Sequence, residues 1–330
     1  MTVTDYHTAG EPFRIVTGGT PEIPGTTVLE RREAARSTPD IDVVRQLLVN
    51  EPRGHSAMYG CFLVPPETAG SLFGVLFWHR EGYSTACGHG TIALGAWAVR
   101  TGRVAAVADG VTEVPMDVPS GRVVAAVTCE GGEVRKVAFR NVDSTVLGRG
   151  VEVATNHGPV RVDLAYSGAI YACVPASAFG LEVVPEHHTA LVAAGREVKA
   201  ALSGTDWARH AGDSRLSGVY GTILYDDLGD TPTGPHQRNV TIFADGQVDR
   251  SPCGSGTSAR LALLAAEGRL REGDVLTHGS IVGTTFTGRI LSTGEDGSVA
   301  TEIEGTAHLA GESVFTLDPA DDLGTGFTLR

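Results

Sequence analysis

The sequence contains no run of about 18 apolar residues, so a membrane-spanning helix is not expected. Its first residues, Met1 to Pro12, lack a basic start followed by an apolar stretch, and no secretory leader is expected either. Positive charge is in short supply. The 26 Lys and Arg residues stand against 39 Asp and Glu, a formal net charge of −13. Without a clustered basic surface a chain is poorly suited to nucleic acid. An anionic substrate would have to be gripped by local backbone dipoles or a few charges, against the overall field. Cysteine is sparse and odd in number, with Cys61, Cys87, Cys129, Cys173 and Cys253 widely spaced. That pattern suits reduced thiols in a cytoplasm better than a disulfide framework. Low-complexity glycine is also missing. The 43 glycines are spread along the chain, as tight turns and close backbone approaches require.

What is present is ordinary globular material, 42% hydrophobic and 20% charged over 330 residues, enough for two domains of roughly 150 residues. A repeat organises it. GVLFWHREGYSTACGHGTIALGAWAVRTGRV from Gly74 aligns without gaps on VTIFADGQVDRSPCGSGTSARLALLAAEGRL from Val240, at an offset of 166 residues, 253 minus 87. Phe77, Cys87, Gly88, Gly90, Thr91, Gly102 and Arg103 match Phe243, Cys253, Gly254, Gly256, Thr257, Gly268 and Arg269. A Tyr-Gly pair opens a strand-like run upstream in each half, at Tyr59-Gly60 and Tyr220-Gly221. A single offset near half the chain length is the duplication of a whole domain rather than a solenoid, and two halves related by a pseudo-twofold axis are expected.

Each repeat has the same local logic. Val75 to Trp78 and Val240 to Phe243 read as strands. Thr91 to Val99 and Ser258 to Ala266 read as buried helices, with Gly102 and Gly268 where a left-handed cap belongs. Further strands are expected at Val123 to Cys129, Val160 to Ala165, Ala169 to Val174, Ser298 to Ile303 and Ser313 to Leu317, and another helix at Thr189 to Leu202. The fold class is therefore α+β with much mixed or antiparallel sheet.

Both cysteines then precede a helix N-terminus, where unsatisfied N–H groups and the macrodipole favour negative charge. The amides of Gly88-His89 and Gly254-Ser255 would grip a small carboxylate, and the same dipoles favour thiolate in a neighbouring cysteine. Two thiols on opposite faces of an amino acid's Cα make a specific machine. One, as thiolate, takes the Cα proton. The other, as thiol, returns a proton from the opposite face and inverts the centre. Fixed amides stabilise the enolate-like charge that develops on the carboxylate. No cofactor and no metal are needed. A zinc site from Cys87, His89 and Cys253 would lack a fourth ligand, and C-G-x-G-T lacks the spacing and lysine of a phosphate loop. Cys61, Cys129 and Cys173 read as small buried hydrophobes.

The segments HTAGEPFRIV (His7 to Val16), RGHSAMYG (Arg53 to Gly60), ACGHGTIA (Ala86 to Ala93), YGTIL (Tyr220 to Leu224), DRSPCGSGTSA (Asp249 to Ala259) and VGTTFTG (Val282 to Gly288) resemble the proline racemase family over nearly the whole chain. The resemblance implies a diaminopimelate-epimerase-like fold, in which two α/β domains each curl a mixed sheet around a central helix, with the site between them. Residues 1–154, completed by the segment 320–330, would form the domain carrying Cys87. Residues 155–319 would form the domain carrying Cys253. Cys87 and Cys253 would be the acid/base pair, and the amides of Gly88, His89, Gly254 and Ser255 the carboxylate site. His89 and Asp249 would contact the ring nitrogen. Two plainer roles stay open: Asp249 as a turn residue before Pro252, and His89 as a helix cap. His7, Arg14, His55 and Tyr225 are polar candidates for shaping the pocket.

The implied activity is racemisation or 2-epimerisation of proline or hydroxyproline. The alternative is dehydration of trans-3-hydroxy-L-proline. In that branch the second cysteine position typically carries threonine, whereas this chain has Cys253; its flanks EGYSTACGH and FADGQVDRSP nevertheless look more like the dehydratases. A non-catalytic binder of small amino acids is the remote third reading. The sequence admits a homodimer without fixing one.

Overall fold

Alanine, leucine and glycine crowd the stretch after each cysteine because the helix formed there meets water on no side. In the computed structural model, which describes residues 1–329, every residue from Gly88 to Val99 is buried, and so is every residue from Gly254 to Leu264. A helix buried all round has to be the centre of a core.

The chain runs β1 (Thr2–Thr8), β2 (Glu11–Gly18), α1 (Val28–Ser37), α2 (Pro39–Val49), β3 (Tyr59–Val64), β4 (Phe73–His79), β5 (Gly82–Tyr83), α3 (Gly88–Arg100), β6 (Gly110–Val118), β7 (Gly121–Glu130) and β8 (Glu133–Arg140). It continues through β9 (Thr145–Thr155), β10 (Gly158–Tyr166), β11 (Ile170–Pro175), α4 (His188–Leu202), β12 (Val219–Thr231), β13 (Gly234–Phe243), β14 (Gln247–Asp249) and α5 (Gly254–Ala266). β15 (Leu276–Ser280), β16 (Thr285–Thr293), β17 (Val299–Gly305) and β18 (Ala307–Val314) complete it. Two compact units result. One is Met1–Val137 together with the segment from Thr306, the other Ala138–Gly305. The expected limit at 154/155 falls where β9 turns into its antiparallel partner β10, a hairpin that keeps both strands in one unit.

The repeat survives as topology. In the first unit β1 and β2 are antiparallel, β2 and β3 parallel, β3 and β4 antiparallel, β4 and β6 parallel, and β6 and β7 antiparallel. In the second, β10 to β11, β11 to β12, β12 to β13, β13 to β15 and β15 to β16 repeat that sequence of relations step for step. Each second parallel step needs a crossover, and α3 and α5 supply it. Within its own unit α3 packs on β1, β2, β6, β7 and β18, while α5 packs on β9, β10, β11, β16 and β17. The fold is thus α+β, a mixed sheet curled around a central helix in each unit. Gly102 and Gly268 adopt φ of +68° and +73° as helix caps, as the sequence pattern requires.

Two local expectations are corrected. The strand expected at Ser313 to Leu317 is the tail of β18, which ends at Val314. Helices α1 and α2 have no counterpart in the sequence reading, because each turns an arginine inward. Arg32 donates to Tyr83 O (3.1 and 2.8 Å), and Arg45 donates to His79 O and Arg80 O (2.8 and 2.6 Å). Among the described residues, no helix is long and apolar enough to cross a membrane.

Candidate active site

In the first unit Cys87 is the N-cap of α3, with extended backbone. Its Sγ accepts the N–H of Gly90 at 3.2 Å and lies 3.5 Å from His89 Nδ1. Both arrangements suit a sulfur that carries negative charge. The Thr91 N–H and hydroxyl both donate to Cys87 O, at 3.1 and 2.8 Å. Thr8, at the end of β1, donates its hydroxyl to His89 O (2.9 Å). Cys87 rather than His89 therefore caps the helix, which removes the capping role for His89. The His89 ring sits edge-on to Tyr59 and Phe13, with centroids 4.9 and 5.6 Å away. Before the cysteine, Tyr59 and Ser84 share a 2.6 Å hydrogen bond and Ser84 donates to Ala86 O (3.3 Å).

The second unit rebuilds this half-site around Cys253. Thr257 donates its N–H and hydroxyl to Cys253 O, both at 2.7 Å, and Ser167, just after β10, donates to Ser255 O (2.7 Å). In both units the N–H groups of the first two helical residues, Gly88-His89 and Gly254-Ser255, have no intrahelical acceptor. Ser255 adds a buried hydroxyl that has no hydrogen-bond partner among the described residues.

The glycine two places beyond the first is dictated by the sulfur. A Cβ on Gly90 would stand 2.8 Å from Cys87 Sγ and 2.4 Å from Phe13 Cε2; one on Gly256 would stand 2.8 Å from Cys253 Sγ and 2.9 Å from Ile223 Cδ1. Gly90→Ala and Gly256→Ala should each cost about 1–3 kcal/mol from overpacking and displace the thiol. Urea denaturation checks the first effect, and a stability unchanged in both variants would contradict the packing described.

The half-sites also differ. Cys253 has φ +62° and ψ +105°, outside the comfortable regions for a residue with a side chain. Its N–H donates to Ser251 Oγ (3.1 Å), whose hydroxyl donates to Asp249 Oδ1 (2.7 Å), and the Ser251 N–H reaches the same oxygen at 2.8 Å. Asp249 does serve as the turn residue before Pro252. Burial pushes its carboxyl above the usual range. Burial, and then the neighbouring Asp249, push the Cys253 thiol well up. At Cys253 burial thus works against the helix dipoles, which favour thiolate.

Thr8, Ser167, Tyr171 (its hydroxyl 3.9 Å from Cys253 Sγ) and Ser251 escaped the sequence reading. Thr91 and Thr257 were visible only as a repeat match without a role. Of the polar candidates, Arg14 is spent on Asp5 (2.9 and 2.8 Å) and on the carbonyls of Leu48 and Arg53 (2.8 and 2.7 Å). Tyr225 lies under the Arg260 guanidinium, 4.0 Å from ring centroid to Cζ. His7 stacks obliquely on His308, 5.3 Å between centroids, and His55 Nδ1 accepts the Ala57 N–H at 3.3 Å.

The family model described as proline racemase matches residues 3–328. The chain belongs to the proline racemase family. A trans-3-hydroxy-L-proline dehydratase of Bacillus cereus is 43% identical over 333 residues, 99% of this chain and 98% of that protein. A 3-hydroxyproline 2-epimerase of Burkholderia multivorans is 41% identical over 336 residues, 100% of this chain and 98% of that one. Among solved structures, a hydroxyproline epimerase from Agrobacterium vitis with bound trans-4-hydroxy-L-proline superposes with a TM-score of 0.91 at 31% identity, covering 100% of this chain and 95% of its own. A Bacillus anthracis protein of the phenazine-biosynthesis PhzF family, at 12% identity, TM-score 0.57 and coverage of 96% and 99%, shares the fold. For this family member, dehydratase and epimerase relatives thus stand at nearly equal distance, both enzymes of hydroxyproline.

Proposed function

We propose that this chain is a cofactor-independent 2-epimerase of hydroxyproline, 3-hydroxyproline foremost, that moves the Cα proton between Cys87 and Cys253. The observation carrying this reading is that the same thiol-bearing half-site is built twice, with a cysteine retained in each. Cys87, beside the Gly90 N–H and His89, is the base as thiolate; Cys253, resting as a thiol, is the acid. The Cα–H electron pair passes into an enolate-like carboxylate, and the Cys253 proton reaches Cα from the other face. Reversal exchanges the roles. The amides of Gly88, His89, Gly254 and Ser255 would hold the carboxylate, and the buried hydroxyl of Ser255, without a partner among the described residues, supports an acceptor there. Asp249, with His89, would meet the ring ammonium. A cation beside that buried carboxyl gives it a charge-assisted partner, which offsets the burial that now holds it up. Two reduced thiols suit a reducing compartment such as the cytoplasm.

The second reading, dehydration of trans-3-hydroxy-L-proline, is favoured by relatives of that name at 40–43% identity. Proton NMR in deuterium oxide separates the two. L-Proline, trans-4-hydroxy-L-proline and trans-3-hydroxy-L-proline are each incubated with the enzyme. Loss of a Cα signal with appearance of the C2 epimer is the expected result. Consumption of the 3-hydroxy compound alone, with an imine as product, would transfer the assignment to dehydration.

A further inference from the structure

Behind Cys253 lies a buried polar chain to which no role has been given. Asn239, Thr257 and His278 are each fully buried. Asn239 Nδ2 is 2.9 Å from Pro252 O and 2.9 Å from His278 Nε2. A carbonyl only accepts, so the atom facing it is the amide nitrogen, and Asn239 donates to Nε2. Thr257 Oγ1 is 2.7 Å from Cys253 O and 3.1 Å from Pro252 O, so its one proton is used there. At 2.8 Å from His278 Nδ1, Thr257 must then accept, and Nδ1 carries the imidazole proton. Burial, with Arg260 and His236 as weaker causes, pushes the imidazole pKa down to about 3, consistent with this neutral tautomer. The Asn239 amide nitrogen also lies 3.3 Å from Gly279 O, its Oδ1 faces the Thr241 hydroxyl at 3.5 Å, and the chain ends on the carbonyls of Pro252 and Cys253.

Cys253 is also where the backbone is strained, and a non-glycine residue in such a region costs about 1–3 kcal/mol unless its surroundings enforce it. The first unit serves as an internal control. Position 239 minus 166 is Phe73. Asn239 pairs with Ser280 and Phe73 with Met116, so His278, two places before Ser280, corresponds to Val114, two places before Met116. Where the strand pair is Phe73 and Val114, the position matching His278 is a valine, Thr91 donates to Cys87 O, and Cys87 is extended. Where the pair is Asn239 and His278, the cysteine is left-handed.

We propose that His278, through Thr257 and supported by Asn239, is a positioning residue that holds the Pro252–Cys253 peptide in its strained form and so sets the direction of the Cys253 thiol. This rests on the acid/base reading of Cys253 given above. It explains how two half-sites that share C-G-x-G-T hold their cysteine in different backbone conformations.

The test is differential labelling of the free enzyme with iodoacetamide, followed at each cysteine by peptide mass spectrometry, in wild type, His278→Val, His278→Asn and Thr257→Val, alongside steady-state kinetics. Expected for His278→Val is a several-fold change in Cys253 labelling with Cys87 unaffected, and a loss in kcat of about 10²-fold with little change in KM. His278→Asn, whose amide nitrogen can replace Nδ1, should recover much of both. Should His278→Val fail to fold, Thr257→Val breaks the same link with nearly the same shape and must shift Cys253 labelling. A lowered melting temperature with unchanged Cys253-to-Cys87 labelling and unchanged kcat per folded enzyme would make His278 a core residue only and overturn the proposal. The labelling needs no turnover. A shift in an enzyme inactive on all three prolines would uphold the positioning role while the functional reading fails.

Discussion

Cys253→Ser should lower epimerisation by about 10³-fold, and Cys87→Ser by a similar factor, since a positioned acid or base contributes about 10²–10⁴-fold. The more telling expectation is what survives. With Cys87 alone, the thiolate still takes the Cα proton of the stereoisomer it faces and, after exchange with solvent, returns deuterium to the same face. Cys253→Ser should therefore wash deuterium into one C2 epimer with retention, and Cys87→Ser into the other. Two-dimensional separation of the epimers, or chiral chromatography with mass detection, reads both outcomes. Inversion at the wild-type rate in either variant would end the two-thiol mechanism. Full consumption of trans-3-hydroxy-L-proline by Cys253→Ser would show that one base suffices, as water elimination requires.

The duplication was legible because it is carried by residue types that backbone geometry demands. Gly90 and Gly256 have to leave room for a sulfur, Gly102 and Gly268 have to turn left-handed, and Thr91 and Thr257 have to bond back to the cysteine carbonyl. Such constraints recur wherever the geometry recurs. Helices α1 and α2 were hidden because Arg32 and Arg45 replace apolar residues on the buried face, so charge masks the period. A signal for α1 was nonetheless present, since Thr27 and Glu30 form a capping box. At the site, spacing identified both cysteines but could not reveal their asymmetry. The left-handed Cys253 and the Asp249–Ser251 relay follow from local hydrogen bonds that C-G-x-G-T does not encode. His278 was out of reach for a related reason, since the parallel pairing of β13 and β15, distant in sequence, sets it beside Asn239.

His278 also predicts how the fold responds to acid. In the unfolded chain the imidazole takes up a proton near its ordinary value of 6.5, whereas in the fold it stays neutral until about pH 3. Between these values the unfolded state binds more protons, so stability is fully present above pH 6.5 and declines as pH falls. The slope is about 1.4 kcal/mol per pH unit, reaching about 5 kcal/mol below pH 3. That is a large share of the 5–15 kcal/mol that typically holds a domain together. Asp249 works in the opposite direction. Its carboxyl is raised by burial, so the fold is relieved of a buried charge as pH falls through that raised value towards the ordinary carboxylate range. The two are separated by measuring urea-denaturation midpoints from pH 7.5 to 4 in wild type and His278→Val. The variant should start less stable at pH 7.5, because Asn239 and Thr257 lose a partner, and should then lose stability less steeply, so that the two curves converge. Parallel curves would mean that the imidazole takes up its proton inside the fold as readily as in the unfolded chain, which the donor assignment through Asn239 and Thr257 forbids.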